Sequence, residues 1–300
     1  MTTQPSTLPD DALPQLHDAA NEASFEGQQS YKQLTRARLW LVVGAAALGV
    51  TSWRVSTGRV DVLALVAVVF FLGALLIELQ LSKTRPDKTW YEGRAVAESA
   101  KTLAWKWAVC ADPFPATIGE PAATDALLDE LRLVKDKYPN LELAPVLGEQ
   151  ITQWMKSARF SSYPERQATY TNLRVQDQQN WYRSKALKSK KAAKAWRRRL
   201  IGFEVVGVAL SLVEGLTTLD LAFTPLIAAV IAASVGWIQI QQYDQLSEAY
   251  STTVTDLAGA LTKLHESTSD EAKWALEVND AEEAMSREHT LWSAKRSQLF

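Results

Sequence analysis

Apolar residues in this chain are bunched, not spread. In the first half Leu39–Val55 (LWLVVGAAALGVTSWRV) is followed by Val60–Leu81, and in the second half Leu200–Leu219 is followed by Pro225–Gln242. A helix rises about 1.5 Å per residue, so roughly 20 residues cross a hydrocarbon core of about 30 Å. The second block fits comfortably. The first is short and carries Arg38 and Arg54 at its ends, whose long stems can reach the headgroups. Buried core helices of a soluble bundle are the competing reading. Against it, Val62–Ile77 holds no charge and shows no polar stripe on any face. Trp40 and Trp53 bracket the first block, Trp196 precedes the third, and Trp237 lies near the end of the fourth, where an amphipathic ring prefers the membrane interface.

Outside the blocks the period is helical. Val96, Ala100, Leu103, Trp107 and Cys110 form one stripe; Leu127, Leu131, Val134 and Tyr138 a second; Leu147, Ile151, Trp154 and Ala158 a third. Pro113, Pro115, Pro121 and Pro139 break the chain between them. Pro164, after Ser162 or Tyr163, fits the start of a long helix to Arg199. That helix is polar nearly all round from Glu165 to Asn180, so it should project or pack loosely. In the fourth block Ala229, Ala233, Gly236 and Ile240 share a face that continues through Tyr243, Ser247, Tyr250, Val254, Leu257, Leu261 and Leu264. A sustained 3.5-residue period predicts one rigid helix with a coiled-coil seam. Ser267–Asp270 or Thr268–Glu271 offers a capping box for a last helix carrying Trp274, Val278, Ala281, Met285 and Trp292. A cytoplasmic hairpin over 243–298 follows.

Composition adds exclusions. With 47% apolar and 22% charged residues, the averages look like those of a soluble protein, because the bunching is hidden in them. A net charge of −2 gives no case for nucleic acid as a partner. The single cysteine, Cys110, excludes an internal disulfide framework and reads as a small core residue. His17, His265 and His289 are scattered, so no metal cluster can be assembled, and no phosphate loop, nucleophile elbow or H-E-x-x-H helix occurs. Neither an enzyme nor a cofactor is expected. Residues 1–30 hold five acids, three prolines and no Lys or Arg, which predicts a disordered acidic tail and excludes a signal peptide.

Charge also sets orientation. Lys32, Arg36 and Arg38 precede the first block; Lys83, Arg85 and Lys88 follow the second. Arg183–Arg199 holds nine basic residues and no acid, whereas the two turns hold only Arg54 and Arg59. By the positive-inside rule both termini and the central region are cytoplasmic, in a multi-pass protein of the inner membrane. Lys188, Lys190, Lys191, Lys194, Arg197, Arg198 and Arg199 are the expected contacts for anionic lipid or, alternatively, for an acidic partner or nucleotide.

The chain therefore reads twice as cytoplasmic helix, two-span hairpin, cytoplasmic helix. Tyr31-x4-Arg36 with Trp40 matches Trp181-Tyr182-x2-Lys185 with Trp196 in kind. The most distinctive stretch is Trp90-Tyr91-x2-Arg94-x3-Glu98-Ser99-x-Lys101-Thr102-x2-Trp105-x-Trp107, and the last helix ends Ser286-Arg287-Glu288-His289-Thr290-Leu291-Trp292. In these positions the sequence resembles the bacterial SLATT-type two-span effectors, as two units in tandem over roughly Tyr31–Ala111 and Asn172–Arg296. The resemblance implies a membrane-perturbing or pore-forming effector of prokaryotic conflict systems, triggered by a nucleotide second messenger or a nucleotide-sensing partner protein.

The third block carries a polar and small stripe, Glu204, Gly207, Ser211, Glu214 and Thr218, at spacings of three and four. It either lines a cation pathway in a homo-oligomer or serves packing, with Glu204 reaching toward Arg197–Arg199 and Glu214 toward the outer headgroups. The small face Ala229, Ala233 and Gly236 is its counterpart in the fourth block. The expected architecture is all-α: an acidic tail 1–30, a first unit 31–111, a helical insert 112–163, and a second unit 164–300. The expected activity is a signal-gated pore. A non-conducting scaffold needs only the seam and the hairpins, and a transporter would need broken helices and binding groups at mid-membrane.

Overall fold

The computed structural model describes residues 8–9, 11–50, 54–55, 60–145, 147–217, 223–267 and 269–297. Among them the protein is all-helical apart from one two-residue strand pair. In order, the elements are α1 (Gln15–Leu48), β1 (Arg54–Val55), β2 (Val60–Asp61), α2 (Val62–Thr84), α3 (Pro86–Ala108), α4 (Glu120–Asp136), α5 (Gln153–Arg159), α6 (Tyr163–Tyr170), a π-helical segment (Thr171–Gln176), α7 (Asp177–Leu216), α8 (Thr224–Gln241), α9 (Tyr243–Glu266) and α10 (Glu271–Ser297).

The chain divides into two compact units. One comprises residues 1–27, 88–186 and 248–300; the other comprises 28–87 and 187–247. The first is the helical unit. At its centre α3 is buried on several faces. Ala100, Ala104 and Trp107 pack on Phe114, Leu127, Leu131 and Met155, while Trp105 and Val109 pack on Tyr170, Val175, Leu257, Trp274 and Val278. Val96 and Ala97 pack on Ala20 and Val134. A Cβ on Gly93 would stand 2.8 Å from the backbone nitrogen of Ser24 and 2.9 Å from the carbonyl oxygen of Ala20, so glycine is what lets α1 and α3 touch backbone to backbone. Rings continue the core edge to face: Trp105 against Trp154 and Tyr170, and Tyr170 against Trp274. The stripes expected on α3, α4 and the described part of α10 are largely buried, and of the one on α9 Leu257 and Leu264 are buried while Tyr250, Val254 and Leu261 are half-buried.

Several expectations are corrected. Residues 15–30 are not a disordered tail but the first turns of α1, because Ala19, Ala20 and Ala23 have a surface to bury against. Just ahead of the helix, Ala12 is fully buried, and its carbonyl accepts from Thr152 Oγ1 at 2.8 Å. Leu147 is wholly exposed and lies outside any helix; its stripe starts only at Gln153, with Thr152 as N-cap. The stretch from Glu165 to Asn180 does not project, since Arg166, Tyr170, Arg174 and Val175 are buried. The fourth block and the seam after it are not one unbroken helix. Gln242 adopts a left-handed φ of 49° between α8 and α9, as Arg85 does at 44° between α2 and α3. The 3.5-residue stripe marks a face but does not register a backbone break between two helices. Asp270 is the cap of α10, with Oδ1 accepting from the Ala272 and Lys273 amides. Trp53, Thr218, Thr268 and the Trp292 side chain lie outside the described residues.

Candidate functional site: an apolar helical unit and a buried charge centre

The second unit gathers both hairpins. In the first, α1 and α2 meet through reciprocal pairs of glycine and a large side chain. A Cβ on Gly44 would come within 2.5 Å of the Phe70 ring, and one on Gly73 within 3.2 Å of Leu41. Arg38 pairs with Glu78 across the same two helices. Asp61 starts α2, its Oδ1 accepting from the amides of Leu63 and Ala64 at 3.0 and 3.2 Å. In the second hairpin the acid at the corresponding place comes from the preceding helix. Glu214 accepts from the Phe223 amide at 3.1 Å and from Thr224 Oγ1, holding the start of α8. Gly207 faces α8, where an added Cβ would stand 3.1 Å from Ile227.

The surface of this unit along α2 and the second half of α7 is apolar. On α2, Leu65, Val68, Val69, Phe71, Leu72, Leu75, Leu76 and Leu79 are each more than half exposed. On α7, Val205, Val208, Leu212 and Leu216 are too. A soluble monomer rarely leaves so continuous an apolar surface in water. Among the described residues, α2 and α8 belong to the two segments long and apolar enough to cross a membrane. The apolar end of α1 runs only from Leu39 to Leu48, and that of α7 includes Glu204 and Glu214.

The residues singled out from sequence separate into distinct places. Glu204 and Ser211 are exposed beside the apolar surface, Gly207 packs on α8, and Glu214 caps it. Ala229, Ala233 and Gly236 are half-buried, and Gly236 approaches Leu39 of α1. Lys188, Lys190, Lys191, Lys194, Arg197, Arg198 and Arg199 are all exposed along α7. Arg197 pairs with Asp244 at 3.5 Å, and the Arg199 guanidinium lies 5.0 Å from the Trp196 ring.

The helical unit holds a charge centre that sequence reasoning missed. Arg174 and Glu282 are 2% and 0% exposed, so their pairing takes place away from water. Arg174 Nε donates to Glu282 Oε1 at 2.8 Å and Nη2 donates to Oε2 at 2.6 Å. The same carboxylate accepts from the Tyr170 hydroxyl at 3.2 Å and from Thr102 Oγ1 at 2.8 Å. Burial opposes the guanidinium charge, but the Glu282 carboxylate outweighs it and holds the Arg174 pKa above its ordinary value. Burial, then the same carboxylate, pushes the Tyr170 phenol well up. Nearby, burial and then the Arg174 charge lower Lys101. Arg174 lies within the π-helical segment, whose wider turn is an uncommon geometry that recurs at functional sites. One signal was available in the sequence: Glu282 falls within the apolar stripe Val278, Ala281, Met285, where an unpaired acid would not be tolerated.

Arg159 is another buried cation. It donates to the carbonyls of Trp107 and Phe114 at 2.7 and 3.1 Å, closing the loop after α3. Burial pushes the Cys110 thiol up, which suits a core residue. No group of three or more metal-binding side chains occurs among the described residues.

No curated protein and no solved structure matches the chain. Two family profiles do. SMODS and SLOG-associating 2TM effector domain 3 matches residues 14–167, just over half of the chain, and SMODS and SLOG-associating 2TM effector domain 1 matches residues 170–292. The first match begins at the foot of α1 and runs through residues 112–163, which the sequence reading had set apart. With both matches in tandem and a hairpin of apolar helices in each, the chain belongs to the SLATT family of two-transmembrane effector domains.

Proposed function

We propose that this protein is a membrane effector of a prokaryotic conflict system that oligomerises and opens a pore in the inner membrane on a cytoplasmic signal. The observation that carries the reading is the apolar surface of the second unit, exposed on α2 and α7, in a chain whose other unit is a well-packed helical bundle. In this reading all four apolar blocks enter the membrane as two hairpins, with both termini cytoplasmic. The helical unit receives the signal, a nucleotide second messenger or a nucleotide-sensing partner. The buried Arg174–Glu282 pair and its π-helical turn form the element with two packings, since a charge pair kept from water depends on its partners and, among the described residues, Arg174 Nη1 has none. Glu214 is occupied as a cap, which leaves exposed Glu204 and Ser211 as the polar groups for a pathway between subunits.

Ion release from liposomes carrying the purified full-length protein tests the proposal. Release that climbs more steeply than linearly with protein density, and falls or changes cation preference in Glu204→Gln, is expected. A stable oligomer that releases no ions at any density across a polarised membrane would identify a non-conducting scaffold instead.

A further inference from the structure

The helices α1, α7 and α8 line an open cleft of about 640 Å³ within the second unit. Its lining is graded along all three helices in the same direction. On α1 it runs Arg36, Trp40, Val43; on α7 Trp196, Arg199, Phe203; on α8 Trp237, Ala233, Val230. Seven residues of helix separate Arg36 from Val43, a rise of about 10 Å. One end is therefore cationic and aromatic, and the other is wholly aliphatic and aromatic. The two guanidiniums are held against rings, Arg36 at 5.2 Å from Trp237 and Arg199 at 5.0 Å from Trp196. Among the described residues neither is paired with a carboxylate, in contrast to Arg38 and Arg197 beside them, which pair with Glu78 and Asp244. Ser234, the buried polar group of the wall, spends its hydroxyl on the Val230 carbonyl of its own helix.

We infer that this cleft is a specific site for one anionic phospholipid, its phosphate between Arg36 and Arg199 and an acyl chain running down between Val43, Phe203, Ala233 and Val230. A single ligand with a negative head and an apolar tail satisfies both ends, and a soluble anion would leave the aliphatic end empty. The cleft lies within the range of volumes of small-molecule sites, room for the head and part of one acyl chain. It also joins the two hairpins, since α1 belongs to one and α7 and α8 to the other, so the lipid would be part of their interface. The inference rests on the second unit's residing in the membrane.

Native mass spectrometry of the full-length protein released from mild detergent, titrated with phosphatidylglycerol or phosphatidylcholine, tests it. Alkaline extraction of the membranes serves as the separate check on residence. The expected result is a saturable phosphatidylglycerol adduct, at least fivefold favoured over phosphatidylcholine, that R36Q/R199Q reduces at least fivefold while the protein stays in the extracted membrane. Ala233→Phe keeps both charges, fills the tail end, and should also lose the adduct; K188Q/K190Q should keep it. Equal retention of the two lipids, or an adduct unmoved by R36Q/R199Q and Ala233→Phe, would overturn the site. So would displacement of the lipid by an equal concentration of glycerol phosphate, which would mark a site for soluble anions. A protein released by alkali would instead refute membrane residence itself.

Discussion

Glu282 shows what a single side chain carries in this molecule. It compensates Arg174 and accepts from Tyr170 and Thr102 in a site closed to solvent. Glu282→Gln keeps the shape and removes the charge, leaving the guanidinium buried and uncompensated. Such a change costs about 3–5 kcal/mol, whereas replacing both partners with apolar residues of similar size costs far less. Denaturation of the purified protein should therefore show Glu282→Gln to be more damaging than the double variant R174M/E282L. Equal damage would mean that the pair is an ordinary packing feature. His17 sits in the foot of α1. Burial lowers its pKa below the ordinary 6.5, against the opposing hydrogen bond with Asp18. The unfolded chain then binds more protons than the folded one as pH falls through about 6.5, so stability drops over that window. Melting temperatures at pH 7.5 and 5.5 should fall less for His17→Gln than for the natural protein. The residue scale is also where sequence is least informative. Arg174 and Glu282 are 108 positions apart, and nothing local near Arg174 distinguishes it from the solvated charges around it. Glu214 reads as a pathway residue until the turn brings the Phe223 amide to it.

At the scale of elements, helix contacts depend on a few glycines. Gly93 meets the backbone of α1, which cannot yield, so Gly93→Ala should separate α1 from α3 and destabilise the helical unit by roughly 1–3 kcal/mol. Gly44 meets a side chain, and Gly44→Ala should be rescued by Phe70→Ala, which vacates the space. Thermal melts of the four variants distinguish the cases: non-additivity is expected for Gly44 with Phe70. Purely additive losses would show that the first hairpin is not packed through this pair. Element type was legible for most helices, because apolar stripes and capping residues act locally, but not for residues 15–30, whose turns of α1 form only against the rest of the helical unit; Ser162 and Glu165 form the capping box ahead of α6. Breaks were not. Arg85 and Gln242 take left-handed conformations without a glycine to mark them, so the stripe through Ile240 and Tyr243 reads as continuous. The long run from Glu165 reads as solvated because its polar residues bury only with partners from α3 and α10.

At the scale of the whole molecule, the two tandem domains are not two compact bodies. Each contributes its hairpin to one unit and its remaining helices to the other, and Trp105 of the first domain shares a core with Tyr170, Leu257 and Trp274 of the second. The repeat was legible from the recurring order of apolar blocks and basic flanks. The pooling of the cores was not, since periodicity reveals which face is buried and never against what. If the second unit resides in the membrane as proposed, the outer faces of α2 and α7 meet acyl chains. A nitroxide attached at Leu72→Cys measures this directly, because Cys110 is buried and does not compete for the label. In reconstituted liposomes, power-saturation spectra should report high collision with oxygen and little with a water-soluble nickel chelate. Free collision with the chelate, or immobility with access to neither reagent, would place Leu72 in water or in a protein core and contradict the account.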